Sequence, residues 1–405
     1  MHRLWLAACV RLRSTKALAW PRLNWLVHSL WMAALLPSLA CSAKPVLDNG
    51  PLLTKGELTN FDQQFRHVLA KAAVPGGAYA IVQAGTIVAT GAYGVREQGK
   101  PERVNAHTVF RLASVSKTFT GALLLQQVQR QQLRLQTPLR QFVPQLRLGN
   151  SRATQALTVE HVLTQSSGLM PHAFENLLEA GQTPEQILPK FQQLTNLCAA
   201  GRCYSYQNVL FSTLSRVAEQ SSGSRFSFEQ LLSQQLLKPL QMDSSSVGYA
   251  GYLAATNKAS PHRKQAGRWR VLSVQPEFYR VNAAAGVNAS ARDMAKYLLA
   301  MTGHAPQVLS PAVLEQLREP KVPVLTRLKW PLWQRFSSAS SWYGHGWRLV
   351  QFDQHRLYYH GGVVDGFRPY LAYSAEHDIG LVVLTNAEAD VTGDIAQWFW
   401  QHILG

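Results

Sequence analysis

Strand-like runs gather near the two ends of the chain while the middle lacks them, and this placement constrains the fold more than any other feature. Near the N-terminal end, Ala78 to Val82 and Thr86 to Ala92 are joined by Gln83-Ala84-Gly85, the pattern of a hairpin. Near the other end, Tyr370 to Tyr373 and Ile379 to Thr385 flank the polar turn Ala375 to Asp378, and a helix is expected from about Val391 to Leu404. Phe61, Phe65, Val68 and Leu69 recur at helical spacing and predict an amphipathic helix beginning near Thr59 or Asn60. Residues 136–290, rich in Gln and Leu, read as helix and loop. The expected fold class is α/β in the broad sense (α+β): one antiparallel β-sheet built from both ends of the chain and flanked by helices, with an all-helical lobe of roughly residues 136–290 inserted. A site would then form where the two lobes meet, since concave pockets collect at such boundaries.

The run Phe110 to Thr120 places Ser114 and Lys117 three residues apart at the head of a probable helix. Residues i and i+3 share a helix face, so the lysine can take a proton from a serine hydroxyl that is a weak nucleophile without a base. Of the 13 lysines, only Lys117 has serine three places earlier. The plain alternative is a helix N-terminus capped by Ser114 or Ser116, with Lys117 on a wet face.

Two further segments follow in chain order. Tyr204-Ser205-Tyr206-Gln207-Asn208 contains Tyr-x-Asn, and His360-Gly361-Gly362 follows the strand-like Arg356 to Tyr359. Serine, lysine, tyrosine and a glycine-bearing strand in this order resemble the superfamily of class C β-lactamases, penicillin-binding proteins and serine esterases. Supporting stretches include Pro75-Gly76-Gly77, Ser167-Gly168-Leu169, Lys238-Pro239-Leu240, Tyr343-Gly344-His345-Gly346-Trp347 and Leu384-Thr385-Asn386, so the likeness covers nearly all of the chain from about residue 57. The resemblance implies a catalytic domain over residues 57–405 with Ser114, Lys117 and Tyr206 as catalytic residues. It further implies an oxyanion hole from the N–H groups of Ser114 and Val363, and substrate-binding roles for Asn208, His360, Gly361 and Gly362. Asn208 is expected to hold a substrate amide or the lysine, and His360 to lie on an edge strand.

Related β-lactamases usually carry Lys-Thr-Gly where this chain has His-Gly-Gly. The hydroxyl is missing and the charge is conditional, because histidine titrates near neutrality. That favours esters, amides or D-amino-acid peptides over efficient β-lactam turnover. Gln165 stands where the family often has histidine, and it has no mechanism in the sequence. His161, His172, His345 and His355 read as surface or packing residues. A Ser-His-Asp hydrolase of the α/β type is disfavoured by the absence of a Gly-x-Ser-x-Gly elbow.

The first 43 residues carry five basic residues and no acidic one, with an apolar run from about Leu23 to Ala40. This reads as a signal peptide or a membrane or lipid anchor, the last through Cys41, followed by a linker over 44–56. The expected location is the periplasm or cell envelope. In such a compartment Cys198 and Cys203, the pair in the body of the chain, are expected to form a disulfide. The formal charge of +17 includes the five leader residues, so residues 44–405 carry +12, which suits anionic envelope polymers or lipid head groups. Nucleic acid is not expected as a partner, because no basic run or nucleic-acid motif occurs. Arg327 to Phe336 mixes cationic and aromatic residues and reads either as a membrane or glycan contact or as a surface loop.

The expectation is an exported serine hydrolase acting through an acyl-enzyme on amide or ester bonds, with a small-molecule or peptide substrate, peptidoglycan or an envelope surface as a further candidate partner, an oligomeric state that the sequence leaves open with a monomer favoured, and no cofactor or metal. A true class C-like β-lactamase and a non-catalytic envelope binding or sensor protein are the alternatives.

Overall fold

The computed structural model describes residues 53–223, 225–325, 339–352 and 354–404. The leader, Cys41, the linker as far as residue 52 and the Arg327 to Phe336 stretch lie outside the described residues. Among the described residues no helix is long and apolar enough to cross a membrane.

Helix α1 (Lys55–Lys71) precedes the hairpin β1 (Gly76–Gln83) and β2 (Thr86–Gly94). The short strand β3 (Val109–Arg111) leads through a 3₁₀ turn (Ala113–Val115) into helix α2 (Ser116–Gln129). Helices and loops then continue to about residue 245. They are followed by β4 (Ser246–Val247), β5 (His262–Gln265), β6 (Arg268–Val271) and β7 (Val287–Ser290). The last part of the chain supplies β8 (Val322–Pro323), β9 (Ser340–Tyr343), β10 (Arg348–Phe352), β11 (His355–Gly361), β12 (Arg368–Ser374) and β13 (Ile379–Thr385).

The main sheet has eight strands in the order β2-β1-β13-β12-β11-β10-β9-β8, all pairs antiparallel. β1 pairs with β13 through Ala80↔Val382, so the first hairpin and the last join within the sheet, as its second and third strands. Both faces are covered, which is why β1 and β13 are buried along their whole length. On one face Phe61 and Phe65 of α1 set their rings edge-on to Tyr79, each with centroids 4.8 Å apart, beside Trp400 of the C-terminal helix Thr392–Leu404. On the other, Ala78, Ala80 and Val382 pack with Phe119 of α2 and with Leu298 of the helix Ala291–Thr302.

Three details differ from the sequence expectation. Helix α1 begins at Lys55 rather than near Thr59, because Thr54 and Glu57 form a capping box ahead of the apolar stripe. The inserted segment is helical to about residue 245 and then carries small strands: β7 sits between β3 and β4, and β5 pairs with β6. These runs of two to four residues are too short to show a period. β11 is an interior strand flanked by β12 and β10, not an edge. Its pairing with β10 ends at Tyr359, however, while pairing with β12 continues through His360 and Gly361, so the last two residues have one open side.

The turn between β9 and β10 fixes α2 against the sheet. Gly346 has φ of +84°, and a Cβ there would stand 2.3 Å from the Lys117 carbonyl oxygen; a Cβ on Gly121 would stand 2.1 Å from the His345 carbonyl oxygen. Glycines on both partners therefore let the two backbones touch. Gly346→Ala is expected to lower stability by at least ~1–2 kcal/mol from the left-handed backbone alone, with the clash on Lys117 added, read as a fall in the urea midpoint. An unchanged midpoint would show that this contact is not tight.

Candidate active site

Ser114 lies in the 3₁₀ turn between β3 and α2. The turn is set by Ala113, whose φ of +45° is unusual for a residue with a side chain. Strand β7 holds it from behind: Leu112 N–H donates to the Val287 carbonyl at 2.9 Å, and Ser116 Oγ accepts from Val287 N–H at 2.9 Å. Neither the Ser114 nor the Val363 N–H donates to another group among the described residues.

Lys117, one helical turn on, is wholly buried. Its Nζ lies 2.6 Å from Asn208 Oδ1, 3.0 Å from the Ala284 carbonyl oxygen and 3.2 Å from Ser114 Oγ. Asn208 Oδ1 and Ala284 O can only accept, so each takes one N–H. The orientation of the Asn208 amide is fixed in turn, because its Nδ2 donates to Glu175 Oε1 at 2.8 Å and a carboxylate offers no proton. Burial pushes the Lys117 pKa well below the ordinary 10.5; Glu175 opposes the shift and Arg348 adds to it. A neutral lysine has two N–H bonds and one lone pair. In that form the two acceptors would use the protons, and the lone pair would face the Ser114 hydroxyl.

Tyr206 OH donates to Ser114 Oγ at 2.7 Å. Burial pushes its pKa upward, so the phenol keeps its proton. The loop that carries it is clamped by Gln165. Gln165 Oε1 accepts from Gln207 N–H at 2.7 Å, its Nε2 donates to Gln207 O at 3.2 Å, and its backbone carbonyl accepts from Ser205 N–H at 2.7 Å. The residues on either side of Tyr206 are thus both bonded to one residue. The expected disulfide joins Cys198 and Cys203 just upstream. Leu197 N–H donates to Gly168 O at 2.7 Å, so the bridged loop is docked on the Ser167-Gly168-Leu169 step.

The end of β11 closes the other side. A Cβ on Gly362 would stand 2.7 Å from Leu112 O and 3.0 Å from Ala113 Cβ, which brings Val363 beside the Ser114 turn, with its side chain 66% exposed. At Gly361 the nearest atom to a Cβ would be 4.0 Å away, leaving open space. His360 departs from expectation. It is 1% exposed, its Nδ1–H donates to Gly361 O at 2.7 Å and its Nε2 accepts from Tyr343 OH at 3.1 Å. Both ring nitrogens are taken and burial pushes its pKa well below 6.5, so it is a neutral structural group rather than a conditional cation for substrate. The positive charge on this side belongs to Arg348 of β10, whose guanidinium lies 5.5 Å from the Tyr206 ring centroid and 5.7 Å from that of Tyr343.

The structure therefore brings Ser114, Lys117, Tyr206 and Asn208 together, sets Gly361, Gly362 and Val363 alongside, and takes His360 out of reach of a ligand. Asn208 Oδ1 sits on the lysine nitrogen, one of the two places expected for it. Sequence reasoning missed Glu175, Gln165 as a clamp, and Arg348; of these only Gln165 had left a signal, as an unexplained family departure. Glu175 is the carboxylate that acts on both Lys117 and Tyr206, and the cluster with a metal-ligand pattern, His355, Glu376 and His377, lies at the opposite end of β11.

A family model described as Beta-lactamase matches residues 61–403. The Protein flp of Staphylococcus aureus (strain COL) is 22% identical over 348 residues, which cover 84% of this chain and 65% of that protein. The unguisins hydrolase ungD' of Aspergillus campestris is 23% identical over 355 residues, covering 83% and 63%. The chain thus spans a little under two thirds of the length of these relatives. Among solved structures, the octameric penicillin-binding protein homologue from Pyrococcus abyssi superposes with a TM-score of 0.75 at 24% identity, covering 86% of this chain and 78% of that one. At that identity the likeness is one of fold.

Gln165→Ala removes the acceptor of the Gln207 amide while leaving the backbone bond to Ser205. Hydrogen exchange at Gln207 is expected to accelerate by about tenfold or more, as the loss of one buried hydrogen bond implies. Exchange at the wild-type rate would mean that the side chain does not hold the Tyr206 loop.

Proposed function

Because the chain belongs to the beta-lactamase family, we propose that it is an exported serine hydrolase that cleaves amide or ester bonds, in D-amino-acid peptides or small esters, through an acyl-enzyme on Ser114. The observation that carries this reading is that Ser114 Oγ lies within hydrogen-bond distance of both Tyr206 OH, at 2.7 Å, and the Lys117 nitrogen, at 3.2 Å. A relative named as a hydrolase agrees with it. The Cys198–Cys203 disulfide agrees with an oxidising compartment and hence with export.

In this reading Ser114 Oγ attacks the substrate carbonyl carbon as its proton passes to the Lys117 lone pair. The C–O bond forms, and the carbonyl electrons move onto an oxyanion held by the N–H groups of Ser114 and Val363; a donor of this kind is worth roughly 2.7–4 kcal/mol. Tyr206 then gives its proton to the departing nitrogen or oxygen as the scissile bond breaks. The Lys117 ammonium restores the phenol, so the serine proton ends, in sum, on the leaving group. Water releases the acyl group by the same steps in reverse. Arg348 gives the pocket a permanent positive edge, which suits a substrate with a carboxylate.

The class C-like β-lactamase alternative is disfavoured by the neutral His360 and the bare Gly361, which supply neither the cation nor the hydroxyl of Lys-Thr-Gly. A short-chain aryl ester and a peptide ending in D-alanine are expected to be hydrolysed faster than a chromogenic cephalosporin, with all turnover lost in Ser114→Ala. Wild-type protein inert towards all three would favour the non-catalytic binding protein.

The pH profile tests the base. The acid limb of kcat/KM is expected below the ordinary lysine value of 10.5. Arg348→Met removes a neighbouring cation, stabilises the ammonium and should move the limb to higher pH. Glu175→Gln removes a carboxylate while keeping an acceptor for Asn208, and should move it to lower pH. Each shift is expected to be up to about one pH unit. Limbs that stay put in both variants would argue against Lys117.

A further inference from the structure

At the end of the sheet away from Ser114, three side chains from two turns converge. His355 opens β11, and Glu376 and His377 lie in the turn between β12 and β13. The β11–β12 register pairs Tyr358 with Tyr373, so three residues further on it sets 355 opposite 376. His355 Nδ1 is 3.1 Å from His377 Nε2 and 3.3 Å from Glu376 Oε1, and His377 Nε2 is 3.4 Å from the same oxygen. All three residues are half-buried. Glu376 Oε1 also accepts from the Arg356 N–H at 3.1 Å, which holds the carboxylate in place.

This triangle is poor as a hydrogen-bond network. The carboxylate oxygen only accepts. If both rings turn an N–H inward to reach it, two hydrogens face each other across the 3.1 Å gap between the nitrogens. If one does, its N–H serves at most the two edges that meet at that nitrogen, and the third sets the other ring's lone pair against the carboxylate. No placement of protons makes all three edges attractive, whereas one cation at the centre does. The dimensions also fit. Four ligands at about 2.0–2.1 Å around a tetrahedral zinc ion stand about 3.3–3.4 Å apart, close to the three edges found here.

We propose that His355 Nδ1, His377 Nε2 and Glu376 Oε1 form a binding site for a borderline divalent transition ion of the Zn²⁺ class, with water as the fourth ligand. Two imidazoles and one carboxylate select Zn²⁺ or Co²⁺ over Mg²⁺ and Ca²⁺, which prefer all-oxygen sets. The ion ties the turn before β11 to the turn after β12 and so clips the remote end of the sheet. Five residues of extended strand, about 17 Å, separate His355 from His360, so the ion takes no part in chemistry at Ser114. The proposal therefore stands apart from the reading of that site as a hydrolase.

The test is equilibrium dialysis of the full chain against Zn²⁺, with metal counted per protein, beside visible spectroscopy of the Co²⁺ form. Wild type is expected to retain one more equivalent than His355→Ala/His377→Ala and to give the intense absorption of four-coordinate Co²⁺, with Mg²⁺ failing to compete. Glu376→Gln keeps the shape and should weaken binding by about tenfold or more, while ester hydrolysis by the metal-free protein stays at the wild-type rate. Equal Zn²⁺ retention by wild type and the double variant would overturn the proposal. Should the double variant fail to fold, equal Zn²⁺ affinity in wild type and Glu376→Gln would overturn it instead.

Discussion

Lys117 is buried with no carboxylate in contact, and the rest of the site is arranged around that fact. Taking an ammonium out of water without a charged partner costs several kcal/mol, and this burial pushes the Lys117 pKa well below 10.5. The protein supplies two neutral acceptors, Asn208 Oδ1 and Ala284 O, and keeps a carboxylate, that of Glu175, behind the asparagine. A carboxylate in Asn208's place would hold the lysine charged and useless as a base. Asn208 thus passes orientation from Glu175 to Lys117 without passing on the full charge.

The same economy of contact holds the backbone. Two places where chains touch without intervening side chains fix the site: Gly346 against Lys117 O, and Gly362 against Leu112 O and Ala113. The first locks α2, and the second sets the end of β11 beside the turn that carries Ser114. Because β10 stops pairing at Tyr359, the last residues of β11 keep one side open. The loop of Tyr206 would otherwise be free to move; Gln165 and the bridged loop on Gly168 give it fixed neighbours.

What could be read from the sequence was local or ordered. Ser114 and Lys117 are one helical turn apart, and the hairpins declare themselves by runs of apolar residues between turns. The chain order of motifs carried Tyr206, Asn208 and the glycines. What could not be read depends on pairs far apart in sequence: Glu175 meets Asn208 across 33 residues, Gln165 meets Gln207 across 42, and Lys117 meets Ala284 across 167. His360 misled because its charge depends on burial, which a local pattern does not contain. Helix α1 starts at Lys55, ahead of its apolar stripe, because the cap formed by Thr54 and Glu57 is polar and lies outside that stripe. The cluster of His355 with Glu376 and His377 was invisible for the same reason as Glu175, since strand register alone makes those residues neighbours.

The central claim is that a neutral Lys117 activates Ser114, and covalent labelling by a fluorophosphonate followed over pH tests it without knowledge of the substrate. An adduct mapped by mass spectrometry to Ser114 is expected, forming at a rate that rises with pH around a midpoint well below 10.5. In Lys117→Ala, shown to be folded, the rate should fall by roughly 10²–10⁴-fold. An adduct on another residue, or a folded Lys117→Ala protein that labels at the wild-type rate, would contradict it.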